Sequence, residues 1–116
     1  MTLQQFYEKI GGDYEGTLKR LPTEAMVKKF VLKYPGDPSF DELTKAIAEK
    51  DWETAFRASH TLKGVAQNLG MTKLYEVDAE LCEQMRGGKP MTDPALYDAV
   101  AEVHNKVLEA VKELDA

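Results

Sequence analysis

At 116 residues the chain is long enough for one hydrophobic core and too short for two. With 43% hydrophobic and 30% charged residues, and 15 basic against 20 acidic side chains for a net charge of −5, it has the composition of a soluble globular domain. The acidic balance argues against nucleic acid, whose recognition needs a basic surface. The single cysteine, Cys82, rules out an internal disulfide and favours a reducing compartment, and no apolar run approaches a membrane span or a leader segment.

Taken in order, Thr2 with Gln5 three residues on forms a capping box for a short helix, whose apolar side is Leu3, Phe6 and Ile10 and which Gly11-Gly12 ends. Asp13 caps a second short turn through Tyr14, Leu18 and Leu21, and Pro22 favours a fresh helical start. Met26, Val27, Phe30, Val31 and Tyr34 then repeat at helical spacing up to Pro35-Gly36-Asp37-Pro38, the clearest break in the chain. Ser39 with Glu42 reads as another capping box, and Phe40, Leu43, Ala46 and Ile47 face one way behind it. Lys50-Asp51 turns the chain into a helix for which Gly70 is a suitable C-terminal cap.

The next helix runs from about Thr72 to Arg86, with Leu74, Val77, Leu81 and Met85 as its stripe and Gly87-Gly88 as its stop. Asp78 falls near the middle of that stripe, where it either reaches the surface or accepts a hydrogen bond from a neighbouring helix. From about Asp93, Leu96, Val100, Val103, Val107, Val111 and Leu114 recur every three or four residues. Four longer amphipathic helices, 39–49, 51–69, 72–86 and 93–114, joined by short loops, predict an all-α domain built as an antiparallel four-helix bundle. Short N-terminal helices within residues 1–34 pack across one end of it.

The helix 51–69 carries the functional argument. Trp52, Ala55, Ser59, Leu62, Ala66 and Leu69 fall on one stripe, with Ala58 and Val65 at its edge, small and apolar enough to be buried. His60, Lys63, Gly64 and Gln67 share the opposite face. A glycine in a helix interior costs roughly 1 kcal/mol relative to alanine. Gly64 lies on the imidazole's side, where bare backbone leaves the ring open to approach, and Lys63 puts a flexible cation one turn from it. Together they point to a histidine that receives an anionic group, phosphoryl above all.

Other marked residues carry blander readings. His104 sits at the edge of the last helix's stripe, as a histidine that packs and hydrogen bonds. A zinc site from His60, His104 and Cys82 lacks any one-turn spacing and is set aside, leaving Cys82 as a small packing residue. Phe56 is either the rim of the core stripe or an apolar contact beside His60. Gln67 is either solvated or within reach of the ring nitrogen or a bound phosphoryl group.

His60-Thr61-Leu62-Lys63-Gly64, with Ala66, Leu69 and Gly70, resembles the motif of the histidine-containing phosphotransfer (HPt) domains of multistep two-component signalling. In that motif a histidine, a variable residue, an aliphatic, a lysine or arginine and a glycine are followed by small residues and a closing glycine. The run Ala46–Ala55 is similar to the segment leading into the family's histidine helix, and the resemblance spans about Phe40 to Leu81. It implies the up-and-down helix order, and a small or apolar residue would be more usual than Asp78 at its position. It also implies that His60 accepts phosphoryl, on the ring nitrogen distal to the backbone, from the phosphoaspartate of one response-regulator receiver domain and delivers it to another.

On this reading Lys63 neutralises phosphoryl charge, Gln67 hydrogen bonds to the ring or the phosphoryl group, and Phe56, Arg57, Thr61 and Gly64 contact the partner. No cofactor or metal is expected on this chain, because the receiver supplies magnesium, its acidic ligands and a lysine. The expected partners are receiver domains and a hybrid histidine kinase. The chain itself would be a cytoplasmic, monomeric intermediate with no kinase or hydrolase activity of its own. Two alternatives stand beside this: the phosphoacceptor domain of a chemotaxis-type histidine kinase, and an adaptor bundle that uses the same face without phosphorylation.

Overall fold

Side-chain caps set the start of several helices. In the computed structural model, which describes residues 1–115, the Thr2 and Gln5 capping box opens α1 (Leu3–Ile10) and Asp13 caps α2 (Tyr14–Arg20). Thr23, rather than Pro22, starts α3 (Glu24–Lys33), its hydroxyl accepting from the Met26 N–H. A 3-10 turn at Tyr34–Gly36 leads to α4 (Ser39–Ala48). The capping box expected from Ser39 and Glu42 does not form. Pro38 already occupies the N-cap in helical conformation, so Ser39 is swallowed into the first turn and buried, and the Asp37 carboxylate accepts from its N–H at 2.8 Å. Asp51 caps α5 (Trp52–Asn68); α6 (Thr72–Gln84) ends in a second 3-10 turn, and α7 (Pro94–Asp115) completes the chain. Among the described residues there is no strand.

Helices α4 to α7 form the bundle. α4 packs on α5, α5 on α6 and α6 on α7, and three-residue connections on either side of α5 force those neighbours to run antiparallel. The ring closes through aromatic contacts between α4 and α7: Phe40 stacks on Tyr97 and on His104, and the Thr44 and Tyr97 hydroxyls bond at 2.7 Å. Leu43, Leu62, Leu74, Leu81, Met85, Val100 and Val107 have no exposed surface and fill the centre.

The N-terminal helices cover one end of the bundle and finish the histidine helix. A helix leaves its last carbonyls without internal partners. At the end of α5 they are met by the Tyr7 hydroxyl on Leu69 (2.6 Å), the Asp13 N–H on Gly70 (2.8 Å) and the Arg20 guanidinium on Gln67 and Asn68 (2.9 and 3.3 Å). Gly70 adopts φ +67°, letting the Met71 N–H return to Ala66 and its own N–H to Gln67 in a Schellman turn. A Cβ there would sit 1.8 Å from the Thr17 hydroxyl, so the position admits only glycine. On α3 the expected apolar stripe is only half used: Val27 and Val31 are buried, but Met26 and Phe30 are exposed, because α3 covers the bundle's end along a single narrow line.

Candidate functional site

One side of α5 is packed and the other is open. Ala55, Ala58, Ser59, Leu62 and Ala66 are buried, and the small size of all but Leu62 lets α4 and α6 close on the helix. His60, Thr61 and Gln67 are exposed on the opposite side, as the helical spacing requires. The described residues give the His60 ring no hydrogen bond. Its ring neighbour is Phe56, one turn earlier, lying nearly parallel (28°) with centroids 6.0 Å apart. Phe56 is half-buried: it packs against the core with one part and borders the histidine with another.

Gly64 keeps part of that face clear. A Cβ built on it meets no atom within 4 Å, so the missing side chain does nothing for internal packing and leaves free space one turn from His60. Lys63, half-buried on the same side, has no carboxylate at ion-pair distance among the described residues. Arg57 is exposed and reaches the Thr54 hydroxyl at 3.4 Å, and the Thr61 hydroxyl turns back to donate to the Arg57 carbonyl. Gln67 stands two turns along the helix, roughly 10 Å in axial distance, and its side chain makes no hydrogen bond to the ring.

Two residues of this region escaped the sequence reading in different ways. Arg86 was passed over: its guanidinium lies 5.6 Å over the Phe56 ring and is held by Glu83 through bonds of 3.0 and 3.1 Å from Nε. Asp78 was noticed but not placed. It is fully buried and accepts the Ser59 hydroxyl at 2.8 Å on Oδ1, while Oδ2 has no partner among the described residues. Burial pushes its carboxyl up to about 7, against the opposing effects of the Ser59 bond and the Lys63 charge. The usable signal was the antiparallel hairpin itself, since folding the chain back at Gly70 sets Asp78 opposite Ser59 and Arg86 opposite Phe56.

The remaining candidates lie elsewhere. Cys82 is buried, and burial pushes its thiol up. His104 is buried with Nδ1 2.6 Å from the Tyr34 hydroxyl, and desolvation lowers its proton affinity. Neither joins His60. Among the described residues no group of three or more His, Cys, Asp or Glu is placed to hold a metal ion, and no helix is long and apolar enough to cross a membrane.

The fold and this face together define a helical bundle that presents a single open histidine, flanked by a cation and a bare glycine, from the middle of one helix. The chain belongs to the Hpt domain family, whose model matches residues 36–116 and so takes in all four bundle helices while leaving α1 to α3 outside. Domains of this family carry phosphoryl groups on histidine in phosphorelays, as carriers rather than enzymes, and interact there with receiver domains and kinases. Searches of curated proteins and of solved structures gave no match.

Proposed function

We propose that His60 is the phosphoacceptor, taking a phosphoryl group from the phosphoaspartate of one receiver domain and passing it to the aspartate of another. The observation that carries this is the open space at Gly64 beside an exposed, unbonded imidazole. Neutral imidazole is a competent nucleophile near neutral pH. The lone pair of its outer nitrogen attacks phosphorus, an N–P bond forms, and the acyl phosphate's P–O bond breaks with the electron pair leaving on the receiver's carboxylate. Such transfers depend mainly on in-line positioning and on neutralising the phosphoryl oxygens. Lys63 supplies positive charge from this side, with Arg57 and Arg86 flanking it, and the receiver brings the metal ion.

A receiver docking on this face would rest on Phe56, Arg57, Thr61 and Gly64. The test is a time course of radiolabelled phosphohistidine. Label should persist on the isolated chain and leave quickly when an unphosphorylated receiver and magnesium are added. Rapid loss from the chain alone would contradict the carrier role, because it requires a water-activating group beside His60.

A further inference from the structure

Helices α2 and α3, which precede the family match, leave apolar surface open against the end of the histidine helix. Phe30 of α3 is 38% exposed. With half-buried Leu21 and the edge of Leu69 it lines a hollow rimmed by Arg20 and Asn68. Arg20 is held there through one terminal nitrogen by the Gln67 and Asn68 carbonyls, at 2.9 and 3.3 Å. The Lys33 ammonium lies 5.6 Å over the Phe30 ring. Neither cation has a carboxylate at ion-pair distance among the described residues. An apolar floor under a cationic rim has the make-up of a protein-binding hot spot, where aromatic residues and arginine are enriched.

The hollow continues the face on which a receiver would rest. Arg57, Thr61, Gly64 and Asn68 are spaced four, three and four residues apart, so they form one stripe along α5, and Asn68 opens into the hollow. The rise from Arg57 to Asn68 is roughly 17 Å. One partner can cover both ends, since a standard interface takes about 800 Å² and about 20 to 30 residues from each side. The groups that react are the same in every receiver, an aspartate and its phosphoryl group, so discrimination between receivers needs contacts away from the ring. We propose that the hollow is a second docking point for the receiver domain and sets which receiver exchanges phosphoryl with His60. An apolar side chain of the receiver seats among Leu21, Phe30 and Leu69, with a carboxylate beside it facing Arg20 and Lys33.

This inference rests on His60 being the phosphoacceptor, and the experiment separates the two. Isolated receiver domains are screened for exchange of label with the unaltered chain, and the fastest is used for transfer kinetics. Phe30→Gln replaces an exposed side chain by a better helix former, so its urea stability should hold. Its labelling by phosphoramidate, a small donor that makes no use of the hollow, should hold as well. Its KM for the receiver should rise about tenfold, as for truncation of an interface anchor, with kcat unchanged. Phe30→Leu should recover most of that loss, and Met26→Gln, one turn earlier on α3 and outside the hollow, should leave KM unchanged. Across the screened receivers, the spread between fast and slow partners should narrow in Phe30→Gln. An unchanged KM in Phe30→Gln, or an equal rise in Met26→Gln, would overturn the docking point and leave the acceptor assignment standing. Absence of label on His60 from phosphoramidate and from every receiver would overturn the acceptor assignment and this inference with it.

Discussion

The chain's two histidines share a side chain and little else. His104 is enclosed: its ring stacks on Phe40 with centroids 3.9 Å apart, its Nδ1 bonds the Tyr34 hydroxyl, and burial makes it harder to protonate. His60 stands out from α5 with no hydrogen bond among the described residues, a cation one turn away and empty space over Gly64. Both sit on long amphipathic helices and both have an aromatic neighbour, so neither helix nor aromatic contact distinguishes the proposed phosphoacceptor from a histidine that packs. Access does. An in-line approach to nitrogen needs an open side, and only His60 has it.

The largest effect that would sharpen the contrast is on stability. His104→Ala removes the ring packed on Phe40 and leaves the buried Tyr34 hydroxyl without a partner, which should cost about 3 kcal/mol in urea unfolding, with phosphoryl labelling intact. A loss below about 1 kcal/mol would mean the enclosed histidine is not structural.

The pH dependence of unfolding gives a second contrast. The proton affinity of His104 is lowered on folding, so its contribution is complete above the ordinary value of about 6.5 and is lost as pH falls below it. Asp78 runs the other way. With its carboxyl raised from 3.8 to about 7, its contribution is complete below the lower value and is lost as pH rises to the upper one. Urea titrations across pH 4 to 8 should therefore lose their decline toward neutral pH in Asp78→Asn and keep it in His104→Ala. An unchanged decline in Asp78→Asn would place its origin elsewhere.

The smallest stability change falls on the open face. Gly64→Gln should stabilise α5 by a few tenths of a kcal/mol up to about 1 kcal/mol, since nothing obstructs the new side chain, while phosphotransfer slows because the side chain fills the receiver's approach. If melting temperature and transfer rate fell together, the space over Gly64 would have been misread.

What was legible in the sequence was what is local. Helical periodicity placed the bundle helices to within a residue or two, and Thr2 and Asp13 announced their caps. Where two candidate caps compete, local reading failed: Pro38 starts its helix early enough to bury Ser39, and Thr23 takes the role given to Pro22. The face holding His60, Lys63 and Gly64 was readable because it lies on one helix. At Asp78 the hydrogen bond from a neighbouring helix was one of two outcomes the sequence left open, but neither its partner Ser59 nor the placing of Arg86 over Phe56 was readable, because both come from the antiparallel pairing of α6 with α5. The capping of α5 by Tyr7, Asp13 and Arg20 comes likewise from a distant part of the chain.

The central claim is that an exposed and structurally idle imidazole carries the phosphoryl group. It is tested most directly by presenting His60→Gln, beside the unaltered chain, to phosphorylated receiver domains and measuring bound label together with urea stability. The account predicts complete loss of label and a stability change within about 0.5 kcal/mol, as for other exposed substitutions. Label that persists in the variant, or that reappears on His104, would contradict it.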